Sequence, residues 1–371
     1  MNPGRTPAHA SVVTVSAPGR QRADEMTLLG LARAGDDGAF GDLVDGYRGE
    51  LRSHCYRMLG SVHDADDALQ DALLRAWRNL AGFEGRSSLR AWLYAIATNS
   101  ALDITRRRSR RELPVSFGPA GATGADLAAA LPDATWLEPF PDRWLGADLP
   151  PSPEARYDQR ESVELAFIVA LQHLPPLQRA VLILRDVLAF SAAEVAGQLG
   201  TSVASVNSAL QRAHAAVQRG LPARSQRSAL RDLGDQGVRE IAQRYADAIE
   251  RGDANALLSM LTKDATWSMP PIPTWFQGHE AIREFMVHGP LRERWRHRPA
   301  YANGQLAIGC YLPARSATGY VPAVIDVLTL AGDKIAAVTG FLLPELEPRE
   351  QTASVPGAEI FARFGLPAAI P

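Results

Sequence analysis

The sequence is almost without lysine. Lys263 and Lys334 are the only two among 39 basic residues, so nearly all positive charge is arginine. Biased base composition accounts for that blandly, but arginine also suits phosphate and base-edge contacts. Cysteine is equally scarce. Cys55 and Cys310 stand far apart and outside any Cys/His cluster, which argues against a zinc site or a disulfide framework and fits a reducing cytoplasm. No apolar run approaches the roughly 20 residues of a membrane span. The Val12–Val15 stretch is too short and too interrupted by Ser and Thr for a signal segment. No metal and no cofactor is expected. The net charge of −2 leaves nucleic-acid binding open, provided the arginines cluster.

At 371 residues the chain has room for two or three domains. Residues 1–25 read as a disordered lead and 26–112 as helices throughout. Residues 113–155, rich in Pro, Gly and Ala, read as a linker. Helical patterning returns over 156–222, followed by a short linker at 223–235. From 236 to 345 a helix precedes alternating apolar segments and turns, the pattern of an α+β domain; 346–371 form a tail.

The first helical module carries one apolar stripe of Ala65, Ala68, Leu69, Ala72, Leu73, Ala76, Trp77 and Leu80. Asp64, Asp67, Asp71, Arg75 and Arg78 lie on the other side, as a solvated face or a docking face. A polar turn, Phe83-Glu84-Gly85-Arg86-Ser87-Ser88, follows, with Ser88 placed to cap the next helix. That helix ends in Arg106-Arg107-Arg108-Ser109-Arg110-Arg111. Five arginines in six positions suit a helix C-terminus, but their mutual repulsion calls for counter-charge, which a phosphate backbone supplies.

The second module holds a helix-turn-helix signature. Ser191 and Glu194 form a capping box, Gly200 supplies the turn, and Val203, Val206, Leu210, Ala213 and Val217 point inward on the second helix. Ser205, Asn207, Ser208, Gln211 and Arg212 fall on its outer side, where amides suit adenine edges and arginine suits guanine edges. A plain helical hairpin with a polar outer face is the competing reading.

Together these motifs resemble the extracytoplasmic-function sigma factors of the sigma-70 family. Asp64-Ala65-Asp66-Asp67-Ala68-Leu69-Gln70-Asp71 with Ala76-Trp77 looks like the family's core-binding helix. The resemblance implies contact with core RNA polymerase, its β′ and β subunits, through Asp64, Asp67, Gln70, Asp71 and Trp77. Phe83, Arg86, Ser87, Ser88, Arg90, Trp92, Asn99, Asp103, Arg106, Arg107 and Arg108 match the segment that binds and melts the −10 element, including its single strand. Leu174-Pro175-Pro176-Leu177-Gln178-Arg179 with the helix-turn-helix resembles the −35 reader, implying promoter contacts by Ser205, Asn207, Ser208, Gln211 and Arg212. The sequence departs from the family at Asn207, Ala209 and His214, where basic residues are common. Residues 236–345 resemble the SnoaL-like domain, a cone related to nuclear-transport-factor-2 folds.

The expected fold is therefore multidomain: two all-α modules and a C-terminal α+β cone. The expected function is promoter-specific initiation in the cytoplasm, with no membrane partner, regulated by the fused cone. The alternatives are a DNA-binding regulator that is not a sigma factor, or a ligand-sensing or enzymatic SnoaL-like domain as the main activity. Trp267, Met269, Trp275, His288, Tyr301 and Asp326 are the candidate lining of a small-molecule pocket. A catalytic cone would need Asp326 or His288 as acid or base. Whether the aromatics of the linker, Trp136, Phe140 and Trp144, thread into polymerase or dock on the protein itself stays open.

Overall fold

The computed structural model describes residues 18–108, 110–121, 127, 131, 136–145, 162–222, 224–314, 319–343 and 357–371. The expected disordered lead lies outside these residues as far as 17. From Pro18 the chain is already helical, because α1 (Pro18–Arg33) extends eight residues before the expected boundary and buries Leu29 and Ala32.

The first module packs α1 with α2 (Asp37–Leu59), α3 (Val62–Asn79) and α4 (Leu89–Thr105). Each junction is capped. Asp36 Oδ1 accepts from the Ala39 amide, and Gly60 ends α2 at φ 69°. Ser61 accepts from Asp64 and starts α3; Ser88 accepts from Ala91 and starts α4. Gly60 has little freedom for another reason: a Cβ there would lie 2.5 Å from Leu137 of the linker.

The second module contains α5 (Leu165–Gln172) and α6 (Pro176–Leu182), the latter running into a π-helical turn over Ile183–Val187. Helices α7 (Ala192–Leu199) and α8 (Val203–Val217) complete it. The Ser191–Glu194 capping box is fully formed, and Gly200 turns the chain at φ 60°. Ala196 and Val206 are buried at the crossing, so the small residue, the glycine and the β-branched residue play the parts their spacing implied.

Residues 226–235, expected within a linker, belong to a long helix, α9 (Gln226–Glu250), broken at Gly234 (φ 65°). Ser225 caps it, and Gln226 anchors its first turn to the Leu330 backbone at 3.1 and 2.6 Å. After α10 (Ala254–Met260) come β1 (Leu261–Met269), β2 (Ile272–Gln277), α11 (Gly278–His288), β3 (Arg296–Ala302), β4 (Gln305–Pro313), β5 (Tyr320–Ala331) and β6 (Lys334–Leu342). The sheet order is β2-β1-β6-β5-β4-β3, antiparallel except for the β1–β6 pair.

One face of this sheet closes over α9 and α11 as the core of the cone. Trp267, Phe276, Ile308, Leu328 and Val338 lie there. The other face is also covered. Ala302, Ala307, Tyr311, Ile325, Val327 and Phe341 belong to a hydrophobic cluster continuous with both helical modules. That double burial is why β4 and β5 read as nearly unbroken apolar runs. The last helix, α12 (Gly357–Arg363), lies on this second face, with Phe361 edge-on to Tyr311 at 5.0 Å.

Candidate promoter-recognition surfaces and their junction

The linker aromatics dock on the protein itself. Phe140 is wholly buried against Tyr56 of α2, with ring centroids 4.6 Å apart, and Trp136 packs on Phe117 at 4.8 Å. Glu138 fixes this segment to the start of α3. Its carboxylate accepts from Ser61 Oγ at 2.9 Å and from the His63 amide at 3.1 Å, a favourable place for negative charge. Arg52 stacks over Trp144 at 4.7 Å.

The tightest junction is built by a two-residue hairpin turn. Ala302 pairs with Gln305, leaving Asn303 (φ 56°) and Gly304 (φ 67°) as the loop. Two successive positive φ values suit an Asn-Gly turn. The turn pushes the Asn303 side chain out of the cone into the helical modules, where it is fully buried. Its Nδ2 donates to Tyr56 Oη of α2 at 2.8 Å and to the Val163 carbonyl ahead of α5 at 2.7 Å. Its Oδ1 accepts from the Phe140 amide of the linker at 2.8 Å. Gln305 adds a bond from the Leu165 amide at 3.0 Å. One turn of the cone thus touches the first module, the linker and the second module.

The two helical modules also touch each other. Arg90 of α4 lies 5.0 Å over the Phe190 ring, just ahead of α7, and Tyr94 meets that ring edge-on at 5.4 Å.

Inside the cone, Asp326 is buried and accepts from Tyr245 Oη at 2.8 Å and Cys310 Sγ at 3.2 Å. Burial raises its pKa to about 6, against the pull of these two hydrogen bonds. A cavity of about 120 Å³ adjoins it, lined by Trp267, Met269, Met286, Trp295 and His297 among others. His297 Nδ1 faces Glu250 at 3.2 Å, while its buried Nε2 has no partner among the described residues.

Comparison with known proteins places these parts. Residues 43–111 match Sigma-70 region 2, residues 164–217 match Sigma-70 region 4, and residues 242–338 match the SnoaL-like domain. The chain is 39% identical over 360 residues to the ECF RNA polymerase sigma factor SigG of Mycobacterium tuberculosis, covering 94% of this chain and 87% of that one. The chain belongs to the extracytoplasmic-function sigma factors. The sigma factor SigJ of the same organism is 29% identical over 314 residues, covering 80% of this chain and 90% of that one. The crystal structure of SigJ aligns with a TM-score of 0.49 at 25% identity, covering 80% of this chain and 94% of that one. The function is that of a promoter-directing sigma factor, the name its relatives SigG and SigJ carry. No helix among the described residues is long and apolar enough to cross a membrane.

The sigma factor presents its sequence-expected residues unevenly. Asp67 and Gln70 are exposed on α3, and Asp71 is half-buried, bonded to Ser100 at 2.7 Å and paired with Arg75 at 2.9 Å. Trp77 is half-buried against Phe40. Asp64 departs from expectation: it is buried beneath Arg108 and Arg111 and cannot meet a polymerase surface. Arg108 is correspondingly committed to Asp64.

In the segment expected to meet the −10 element, Arg86, Ser87, Ser88, Asn99, Arg106 and Arg107 are exposed. Phe83 is not available for a flipped base. It is 6% exposed and packs on half-buried Trp92 at 4.9 Å, so it braces the loop from below. Arg90 is held by Glu50 at 3.3 Å and by Phe190, and Asp103 by Arg75 at 3.1 Å and Arg106 at 2.9 Å.

On α8, Ser205, Asn207, Ser208, Gln211 and Arg212 are all exposed. The nearby His214 is paired with Asp186 of the π-helical turn.

Of the six cavity candidates, Trp267, Met269 and Asp326 line the cavity. Trp275 instead donates to the Gly118 carbonyl of the linker at 3.0 Å, His288 pairs with Glu284 on the outside of α11, and Tyr301 is 48% exposed on β3. Tyr245, His297, Trp295 and Cys310 were missed. His297 sits between Arg296 and Arg298 and reads as part of a solvated basic run, yet the alternation of β3 turns it inward.

Proposed function

We propose that this sigma factor is restrained by its own SnoaL-like domain, with Asn303 as the clamp. The observation carrying this reading is the Asn303 side chain, which bonds simultaneously to region 2, the linker and the approach to region 4. By their names the −10 and −35 elements lie about 25 base pairs apart, or roughly 85 Å at 3.4 Å per pair. Helices α4 and α7, which belong to the two readers, are in contact here. Binding both elements requires the modules to separate, and the clamp opposes that separation.

In the open state, Asp67, Gln70 and Asp71 face the β′ and β subunits of core RNA polymerase. The loop Glu84–Ser88 with Asn99, Arg106 and Arg107 engages the −10 strand, and α8 reads the −35 duplex. The cavity beside Asp326, with its mostly apolar lining, suits a small apolar ligand. Its buried carboxyl accepts from Tyr245 and Cys310 through one oxygen, Oδ2. A ligand that reshapes the sheet would act on the β3–β4 turn and so on the clamp. The test is run-off transcription with core polymerase and the full chain, comparing the native protein with Asn303→Gly. Increased initiation supports the restraint; equal or lower initiation by a folded variant refutes it.

A further inference from the structure

A second cavity, unrelated to the cone, lies between the two helical modules. It encloses about 290 Å³, with Arg108, Arg110 and Arg111 on the region 2 side and His173, Pro175 and Arg179 on the region 4 side. Among the described residues its lining holds four arginines against a single carboxylate, Asp64, and that carboxylate is already shared by Arg108 and Arg111. Arg110 is paired with Glu112 at the rim.

Arg179 is the exception. It is 4% exposed, and among the described residues its guanidinium meets only neutral groups: the Met58, Gln172 and Leu174 carbonyls and the Gln172 amide oxygen. Its Nε is buried without a partner, and no carboxylate among the described residues pairs with it. Burial and the nearby charge of Arg110 lower its pKa to about 10. A buried cation lacking an anion is costly, and evolution normally supplies the anion from the protein or from a ligand.

We propose that this cleft is a binding site for a small polyphosphate, a free di- or triphosphate group that supplies the missing counter-charge. Arginine forks match phosphate oxygens in geometry as well as charge. The site is closed on two sides by packed helices, which suits a compact terminal phosphate chain better than the continuous backbone of a nucleic acid. Its walls come from both modules, so a bound anion bridges them. It stabilises the closed arrangement in proportion to its occupancy and links promoter access to the concentration of that anion. This site is independent of Asn303 and of the cone's own cavity.

The experiment is calorimetric titration of the full chain with inorganic tripolyphosphate at 150 mM salt, where weak surface attraction is largely screened. One saturable site is expected, at least tenfold weakened in Arg108→Ala/Arg110→Ala and unchanged in Arg283→Ala on the distant α11. Both arginines are partly exposed, so that double variant should fold, as its circular dichroism melt will verify; Arg179→Gln serves as a second variant if it also folds. A short DNA oligonucleotide without terminal phosphates should not displace tripolyphosphate. Absence of saturable binding, binding indifferent to the double variant, or displacement by the oligonucleotide each overturns the proposal. The last outcome would assign the cleft to nucleic-acid backbone.

Discussion

Replacing Asn303 tests the clamp with a magnitude that can be worked out. Asn303→Ala deletes three side-chain hydrogen bonds of 2.7–2.8 Å and strands the Phe140 amide and the Val163 carbonyl in a buried junction. Tyr56 Oη retains its bond to the Glu138 carbonyl at 2.8 Å and loses less. At about 1–1.5 kcal/mol per net hydrogen bond, the loss is ~3–4.5 kcal/mol. Alanine at φ 56° adds strain of roughly 1 kcal/mol within the hairpin itself. Asn303→Gly removes the bonds without that strain, so it isolates the junction. Since 1.4 kcal/mol is tenfold, a closed-to-open ratio should fall by a factor of roughly 10² to 10³ in Asn303→Gly, less whatever water restores. Run-off transcription should rise with limiting core polymerase, and the radius of gyration of the free protein in small-angle scattering should increase. A variant that keeps its cooperative melt, its compact radius and its initiation rate would refute the reasoning.

Three further outcomes follow from particular residues. Asp67→Arg, on the exposed face of α3, should weaken core-polymerase binding at least tenfold in a pulldown while leaving binding of duplex −35 DNA unchanged. Arg212→Ala should cost about 1–3 kcal/mol if it grips a base edge and should relax preference at one −35 position; uniform loss across sequences would make it a phosphate contact. Asp326 is protonated more readily folded than unfolded, its pKa being raised from 3.8 to about 6. Between those values the native state holds a proton that the unfolded chain has lost, so stability falls as pH rises through that window. Asp326→Asn should remove this dependence and stabilise the cone at pH 7 by up to ~3 kcal/mol in chemical denaturation; a slope of stability against pH 4–6 left unchanged by the substitution would count against a buried carboxyl with a raised pKa.

Local signals in the sequence carried far. The Ser191–Glu194 box, Gly200 and Val206 define the helix-turn-helix because each acts within a few residues of itself. The exposure of Asn207, Ser208, Gln211 and Arg212 follows from the same 3.6-residue period. Long-range pairing was not legible. Asp64 belongs to an acidic helix face in the sequence, and its burial depends on Arg108 and Arg111, more than forty residues away. Phe83 reads as an exposed loop aromatic until Trp92 is placed beneath it. Gln226 to Leu233 read as linker since their stripe is sparse, and tertiary contact with the Leu330 backbone decides for helix. Asn303-Gly304 is a hairpin signal in any sequence, but nothing local says that its amide reaches α2 and the approach to α5.

The proposed restraint requires a closed chain that opens on polymerase and promoter. Distances between spin labels on Asp45→Cys and Gln218→Cys, exposed positions on α2 and at the end of α8, read the opening; Cys55 and Cys310 are buried. The free protein should give one narrow distance, which lengthens by tens of ångströms when core polymerase and promoter DNA are added together. A broad distance in the free protein, or one that stays unchanged in the initiating complex, would contradict a closed chain that opens.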